Sequence, residues 1–282
     1  MESTTVGGNE TQGKGRIKLL ASINDEHSLS LAAKNGQLSS FSSLLRQGNP
    51  MTARVLSLMF ESWTDQGSEF CEAWLCEGGS LNGFYNGDTP LKLALDHETC
   101  MRWLLEHGAD PNIPPIRGKT LDLLTLAAAD CSPSSVRLLV EHGARTKGTL
   151  ALHAAATTSA IELDEGNFQP VPSRVEILKI LLDHGADANE MEEDPKGVGR
   201  PRSSCFGTPL HRAVQYGSFE AAQCLLTYGA DVSHPSWSGL TAMKAAERWG
   251  RQDMVDAFRN HIDRASGQDD LSLGKTVSED GL

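Results

Sequence analysis

The length, composition and charge of the chain exclude several classes of protein. Its 282 residues are 39% apolar and 22% charged, which is enough to bury a core and argues against disorder throughout. The formal net charge is -12, and an acidic chain repels phosphate backbones, so we expect no direct binding of nucleic acid. No apolar run approaches the roughly 20 residues that cross a bilayer, and residues 1–9 carry no apolar signal core. We therefore expect an intracellular protein that is not bound to a membrane.

The six cysteines are scattered along the chain, and none forms a Cys-x-x-Cys pair. This scattering argues against a disulfide framework and against a zinc cluster. We expect the cysteines to be small apolar residues in a reduced core, and we predict no metal site and no cofactor. They are Cys71, Cys76, Cys100, Cys131, Cys205 and Cys224.

In chain order, residues 1–25 are rich in glycine, threonine and polar residues and are predicted to be disordered. From residue 26 to residue 262 two short patterns alternate. The first is an apolar, alanine-rich stretch, and it occurs at residues 29–33, 87–94, 124–128, 152–156, 207–213 and 239–243. The second is a leucine pair followed by Gly-Ala-Asp or a variant of it. Its glycines are Gly108, Gly143, Gly185 and Gly229, with weaker copies at Gly48 and Gly78.

Each of the two patterns predicts one helix. Where Thr precedes Pro, as at residues 208 and 209, the threonine caps a helix and the proline loses no hydrogen bond at its first position. The alanines favour helix and leave room for a close neighbour, and Gly36 or Gly217 ends this helix. The leucine pair lies on the buried face of a second helix, which its glycine closes in a left-handed conformation. Each unit is therefore a helix–turn–helix followed by an extended turn.

The spacing of the units predicts where the array is irregular. Residues 51–82 have no Thr-Pro start, so the helices of this second unit are not defined by the sequence. Long spacings indicate insertions at residues 159–173, between the helices of the fifth unit, and at residues 190–206, where two units join. Insertions in stacked repeats go to loops. Residues 263–282 carry Ser, Gly and Asp and are predicted to form a disordered tail.

The two patterns together resemble the ankyrin-repeat family, whose period is near 33 residues. The resemblance extends from about residue 26 to residue 260. It implies an all-α solenoid of about seven stacked helix–turn–helix units with protruding turns, occupying residues 26–262. No unit can bury its apolar face alone, so stacking supplies the core, and the end units are expected to have polar outer faces.

The resemblance gives the histidines a structural role. His153 and His211 occupy the Leu-His position of the first pattern, where the histidine of the family forms hydrogen bonds across the turn and to the next unit. No nucleophile or paired carboxylate recurs beside them, so a catalytic site is not indicated. His107, His142 and His184 precede the closing glycines, where a histidine in the last helical turn complements the helix dipole.

The resemblance also implies where a partner binds, namely at the turn tips and at the residues just before the glycine that ends the first helix. Tyr, Trp and Arg are enriched in binding hot spots, and Tyr216, Trp237 and Trp249 are expected near one end of the concave face. For Trp249 the alternative of packing into the C-terminal cap has equal weight. The predicted partner-binding residues are Tyr85, Asn86, Asp88, Gln215, Tyr216, Trp237, Leu240, Arg248 and Trp249.

A basic loop is a second candidate for docking. Lys196, Arg200 and Arg202 follow an acidic run at residues 190–194. The glycines between them lack the Gly-Lys-Ser/Thr of a phosphate-binding loop. The alternatives for this segment are a solvated loop and a basic peptide that a partner or an import receptor recognises.

These features predict a non-catalytic scaffold or adaptor that binds a protein partner of unknown identity on the concave ankyrin surface. We expect it to be monomeric by itself and to be cytoplasmic, nuclear or both. The alternative function is that of a nuclear transcriptional coregulator acting through protein contacts, which the basic loop alone supports. An enzyme is not indicated, since no constellation of catalytic residues occurs.

Overall fold

The computed structural model describes residues 27–63, 67–116, 121–157, 172–192 and 207–273. These residues are predominantly helical, and among them there is no β-strand, only isolated bridges between Tyr85 and Asp88 and between Pro235 and Thr241. No helix in this part of the chain combines the length and hydropathy that crossing a membrane requires.

Several predicted segments fall outside the described residues. The N-terminal segment 1–25 lies there entirely, and the insertions at 159–173 and 190–206 lie there for most of their length. The basic residues of the predicted docking loop belong to the second insertion. They are Lys196, Arg200 and Arg202.

Met1–Thr120 form the first of two compact units. Its described helices are residues 27–34 (α1), Leu38–Arg46 (α2), Ala53–Glu61 (α3), Gly67–Cys76 (α4), Pro90–Leu93 (α5) and Glu98–Glu106 (α6). They follow one another as three pairs. Between successive pairs, α2 packs against α4 and α3 packs against α5.

Leu121–Leu282 form the second compact unit. Its helices are Leu123–Asp130 (α7), Pro133–Glu141 (α8), Ala151–Ala155 (α9), Pro172–Asp183 (α10), Pro209–Tyr216 (α11), Phe219–Thr227 (α12), Ala242–Arg248 (α13) and Gln252–Leu273 (α14). The first helices of the pairs, α7, α9, α11 and α13, pack in succession, and so do the second helices, α8, α10, α12 and α14. Two layers of helices result, and the predicted helix–turn–helix organisation is confirmed.

The helices begin at the residues that the first pattern singles out. Thr89 and Thr241 adopt extended backbone, and their side chains accept hydrogen bonds from the N–H groups three residues later, at 3.3 Å and 3.2 Å. Asp122 caps α7 in the same way, at 2.9 Å from the nitrogen of Thr125. Each cap satisfies a backbone donor that the first helical turn leaves without a partner.

The second unit, at residues 51–82, has a start signal that the sequence analysis did not identify. Thr52 caps α3 by accepting a hydrogen bond from the N–H of Val55 at 3.3 Å. Its proline, Pro50, precedes the threonine by two positions instead of following it. The Thr-Pro pattern therefore does not predict this helix, although its N-cap is of the ordinary kind.

The glycines of the second pattern end the second helices as predicted. Gly108 has φ 95°, and its N–H donates to the carbonyl of Leu105 at 3.1 Å. The next N–H, that of Ala109, reaches back to the carbonyl of Leu104 at 2.9 Å. This pair of bonds is the Schellman ending, which requires the left-handed conformation that glycine adopts without strain.

The core consists of the leucine pairs and alanines that the two patterns predict. Leu104, Leu139, Leu181 and Leu225 are fully buried. The small residues of the first helices, among them Ala127, Ala128, Ala155, Ala213 and Ala245, are also buried, and they let neighbouring first helices approach closely. Burial of one leucine side chain contributes about 1.5–3 kcal/mol to the free energy of unfolding. Each leucine pair therefore makes a substantial contribution to the stability of the array.

The prediction for the cysteines is confirmed at three positions. Cys71, Cys100 and Cys224 are buried free thiols, and burial raises the pKa of Cys100 to about 12. Cys131 is half-buried. The prediction is wrong for Cys76, which is exposed at the last residue of α4, where the helix surface turns away from the core. Cys205 lies outside the described residues.

The predicted C-terminal tail also needs a correction. Helix α14 continues to Leu273, whereas the sequence predicted disorder from residue 263. A helix that is already nucleated propagates at little cost, and residues 263–273 contain no proline that would stop it. Residues 274–282 lie outside the described part of the chain.

Candidate protein-binding surface

The turn between α12 and α13 presents a tryptophan at its tip. The N–H of Ser236 donates to the carbonyl of Leu240 at 2.9 Å, and the N–H of Leu240 donates to the hydroxyl of Ser236 at 3.2 Å. Gly239 closes the turn with φ 78°. Trp237 therefore projects from a turn held by its own hydrogen bonds, and 50% of its surface is exposed.

A short chain of polar contacts ties this tryptophan to helix α11. The indole Nε1–H of Trp237 donates to the carbonyl of Glu192 at 2.7 Å. The buried carboxylate of Glu192 accepts two hydrogen bonds from one edge of the Arg212 guanidinium, from Nε to Oε1 and from Nη2 to Oε2 at 2.7 Å. Arg212 also donates from Nη1 to Oε1 of Gln215 at 3.2 Å. The predicted site residues Trp237 and Gln215 thus belong to one connected group.

Glu192 and Arg212 were not among the predicted site residues. Glu192 also holds the two described ends of the second insertion together, since its N–H donates to the carbonyl of Gly207 at 3.1 Å. The only sequence signal for the pair is opposite charge at positions twenty residues apart, and no repeat period connects them.

The C-terminal end of α11 presents a tyrosine beside a glycine. Tyr216 is 38% exposed at the last residue of the helix, and Gly217 follows with φ 72°. The guanidinium of Arg251 lies so close to Gly217 that an added Cβ would stand 2.7 Å from Cζ of this arginine. The close contact is made by the side-chain end of Arg251, the residue that precedes α14.

Helix α13 repeats this arrangement one unit later. Arg248 is exposed at its last residue, and Trp249 is half-buried at its C-cap. Counted from the closing glycine, Arg248 corresponds to Gln215 and Trp249 corresponds to Tyr216. Helix α11 packs against α13. We call Gln215, Tyr216, Trp237, Arg248 and Trp249 the C-terminal recognition surface. Half-burial of Trp249 is compatible with both binding and packing, which leaves the two predicted alternatives open.

Leu240 contributes to the stack through its backbone. The imidazole of His211 donates from Nε2 to the carbonyl of Leu240 at 2.9 Å, and its Nδ1 accepts from the N–H of Thr208 at 3.2 Å. Burial lowers the pKa of His211, so the neutral ring is favoured. The predicted structural role of His211, across the turn and to the next unit, is confirmed.

His153 has the same role with one bond fewer. Its Nε2–H donates to the carbonyl of Gly207 at 3.0 Å, but its buried Nδ1 has no hydrogen-bond partner. Leu150, the N-cap of α9, has ψ 12°, whereas Thr208, the N-cap of α11, is extended with ψ 167°. In α11 the N–H of Thr208 donates to Nδ1 of His211. The N–H of Leu150 does not form the equivalent bond to His153. Burial also lowers the pKa of His153.

In the first compact unit, the predicted residues lie on a tight two-residue turn. Tyr85 and Asp88 exchange backbone hydrogen bonds of 2.8 Å and 3.1 Å around Asn86, which has φ 54°. An Asn-Gly pair with positive φ is the favoured tip of such a turn. Asn86 is exposed at this tip, and Asp88 forms an ion pair with Lys92.

Tyr85 faces inward more than the sequence suggested. Its hydroxyl lies 3.2 Å from both the carbonyl and the nitrogen of Ser80, and its ring packs edge-on against Trp74 at 5.7 Å. The neighbouring Phe84 is instead 41% exposed. Phe84 was missed because the motif aligns the turn tip and not the residue before it.

The histidines before the closing glycines are engaged by their own helices. Nδ1 of His107 donates to the carbonyl of Trp103 and Nδ1 of His184 to the carbonyl of Ile180, each at 2.7 Å. Each of these carbonyl groups also accepts the backbone N–H of the same histidine, so the ring adds a second hydrogen bond in the last helical turn. Within the described ranges, no group of three or more His, Cys, Asp and Glu residues is placed to hold a metal ion.

Comparisons with known proteins identify the repeats. The family described as "Ankyrin repeats (3 copies)" matches residues 173–266, and the family described as "Ankyrin repeat" matches residues 86–114. Human ankyrin repeat and SOCS box protein 16 is 30% identical over 227 residues, which are 77% of this chain and 46% of that protein. The chain thus spans less than half the length of this relative.

Two solved structures share the fold. The ankyrin repeat domain of Bcl-3, described as a unique member of the IkappaB protein family, is 24% identical with a TM-score of 0.51, covering 83% of this chain and 85% of that one. The ankyrin repeat domain of human ASB11 is 22% identical with a TM-score of 0.52, covering 77% and 90%. At this identity the likeness shows the fold alone. The chain is therefore an ankyrin-repeat protein with an all-α fold, and its repeats support a role in protein–protein interaction.

Proposed function

We propose that this protein is a non-catalytic adaptor that binds a protein partner through the C-terminal recognition surface. The observation that carries the proposal is the exposure of Trp237 and Tyr216 on a structured framework. Large aromatic side chains that remain half-exposed are the usual anchors of protein interfaces. Exposed aromatic side chains at two successive units are typical of an interaction site.

The surroundings of Trp237 support the same proposal. Its indole is oriented by the bond to the Glu192 carbonyl, and Glu192 is fixed in turn by Arg212. A side chain that is already oriented loses less conformational entropy when a partner binds. The group is therefore suited to recognition with little rearrangement.

The test is partner capture with the double variant Tyr216→Ala/Trp237→Ala. Proteins captured by the full-length chain are identified by mass spectrometry, and the affinity of the most enriched one is then measured for each variant. Loss of two aromatic anchors is expected to weaken binding by roughly thirtyfold or more. Unchanged affinity of every captured partner would show that the surface is wrong.

The matched control is Tyr228→Ala. Tyr228 is 40% exposed, much like Tyr216, but it lies at the end of α12 and donates its hydroxyl to Asp183 at 2.7 Å. It stands outside the C-terminal recognition surface. Its removal is expected to leave partner affinity unchanged, so the control separates a specific effect from general loss of exposed aromatics.

The alternative function, a nuclear transcriptional coregulator acting through protein contacts, has one supporting feature. Lys196, Arg200 and Arg202 form a short basic segment of the kind that import receptors recognise. Localisation of the tagged full-length chain decides this point. A strictly cytosolic distribution that is unaffected by replacing the three residues with alanine rules the coregulator function out.

A further inference from the structure

Helix α13, which contributes Arg248 to the C-terminal recognition surface, carries a second exposed cation, and the two charges point to the chemistry of the partner. Arg248 and Lys244 are both exposed on α13. Neither forms an ion pair or a side-chain hydrogen bond with another described residue. They are four positions apart, which places them on one face of the helix with their Cβ atoms about 6 Å from each other.

Two described carboxylates in this part of the chain are paired with other cations. Glu192 is buried and paired with Arg212. Glu247, the acidic residue of α13, lies 3.5 Å from the guanidinium of Arg259 on α14. Within the described ranges neither Lys244 nor Arg248 is paired with a carboxylate, although the whole chain carries a formal net charge of -12.

Aromatic residues lie next to these cations in sequence and at the equivalent position of the neighbouring helix. Trp249 follows Arg248 directly, and Tyr216 occupies the equivalent position on the neighbouring helix α11. A surface with two free cations beside exposed aromatic rings matches a ligand that has both carboxylates and an apolar side chain. In an extended segment, residues at alternate positions share a face and are about 6.6 Å apart, close to the Cβ–Cβ distance of roughly 6 Å for residues four apart on a helix.

We propose that the C-terminal recognition surface binds an acidic, extended segment of its protein partner. Carboxylates at alternate positions pair with Lys244 and Arg248, and a neighbouring apolar side chain packs against Tyr216 and Trp237. This inference rests on the proposed function and adds the chemical class of the partner.

The experiment is selection of displayed random peptides on the full-length protein, followed by affinity measurement with the synthetic peptide that is most enriched. Enriched sequences are expected to contain two or more Asp or Glu residues beside an aromatic or aliphatic residue. The double variant Lys244→Glu/Arg248→Glu is expected to bind this peptide about tenfold or more weakly, because two attractive pairs become repulsive. Raising the salt concentration is expected to weaken binding to the unmodified protein and not to the variant.

The control variant is Lys147→Glu/Arg145→Glu. Both residues are exposed, lie between α8 and α9, and change the net charge by the same amount. Peptide affinity is expected to stay unchanged in this control. Thermal melts of both variants check that the fold is retained, which is expected because all four side chains are exposed.

The outcomes separate this inference from the proposed function. If Tyr216→Ala/Trp237→Ala abolishes partner binding while Lys244→Glu/Arg248→Glu leaves it unchanged, the surface stands and the acidic segment is wrong. If neither double variant weakens binding, both proposals fail. Enrichment of neutral or basic peptides, or tighter binding of a single-stranded oligonucleotide than of any acidic peptide, also overturns the inference.

Discussion

At Gly217 the backbone has φ 72°, and the guanidinium of Arg251 occupies the space where a Cβ would stand, 2.7 Å from its Cζ. Gly250 ends α13 with nearly the same backbone, φ 66°, but nothing lies within 4 Å of its missing Cβ. The two glycines therefore share one requirement, the left-handed conformation, and differ in a second, the close approach of an arginine.

This difference can be measured with one substitution at each glycine. Gly217→Ala and Gly250→Ala are each expected to lower the free energy of unfolding by about 1 kcal/mol for the left-handed backbone. Gly217→Ala is expected to cost about 0.5 kcal/mol more, because the end of the flexible Arg251 side chain must change its rotamer. Urea unfolding followed by circular dichroism gives both values. Equal losses would mean that Arg251 moves without cost.

At the scale of the element, α7 ends without a glycine of the kind that ends α1, α11 and α13. After Ala129 the chain continues as Asp-Cys-Ser, and the C-cap, Cys131, is extended. Arg174 of α10 takes over the open carbonyl groups, donating to that of Ala128 at 2.8 Å and to that of Ala129. A cation at a helix C-terminus also complements the helix dipole. The end of α7 is thus completed by the following unit.

Replacing this arginine tests the assignment. Arg174→Ala is expected to lower the free energy of unfolding by about 1–3 kcal/mol, since two carbonyl groups lose a charged donor. The control is Arg137→Ala, which removes an exposed ion pair with Glu176 at 3.2 Å and is expected to cost less than about 0.5 kcal/mol. Hydrogen exchange at the amides of α7 is expected to accelerate in Arg174→Ala alone. Equal protection in the two variants would contradict the capping role.

The sequence predicted those elements whose signals are local. Thr208 caps and Gly108 ends a helix through bonds that span three to five residues, so a short pattern contains the whole cause. Helix α3 was missed because its cap, Thr52, lacks the expected proline neighbour. The contact between Glu192 and Arg212 crosses an insertion, and no pattern of fixed length contains both residues.

The candidate site was predicted by position and not by exposure. The motif placed Tyr85 and Trp237 at equivalent turn tips. Tyr85 is drawn inward by Trp74 and Ser80, whereas Trp237 stays exposed because its only described hydrogen bond is made by the edge of the indole. The exposed fraction of a turn-tip side chain depends on the residues that pack against it, and those residues lie outside the motif.

At the scale of the whole molecule, the two buried histidines link stability to pH. Burial lowers the pKa of both His153 and His211, so the unfolded chain takes up protons at a higher pH than the folded chain does. The stabilisation from their neutral rings is complete above the ordinary histidine pKa of 6.5. It is lost as the pH falls below that value toward the lowered pKa of the folded state.

We therefore expect the free energy of unfolding to fall between about pH 7.5 and about pH 5.5, a range in which most carboxylates stay ionised. The double variant His153→Gln/His211→Gln is expected to be less stable than the unmodified protein at the upper pH, because the bonds to Gly207 and Leu240 are weakened. Its stability is expected to change less across the range, since neither position can titrate. His142→Gln, which replaces an exposed histidine, is the control and is expected to keep the full pH dependence. Urea titrations at a series of pH values measure all three proteins, and an undiminished slope in the double variant would show that other groups cause the dependence.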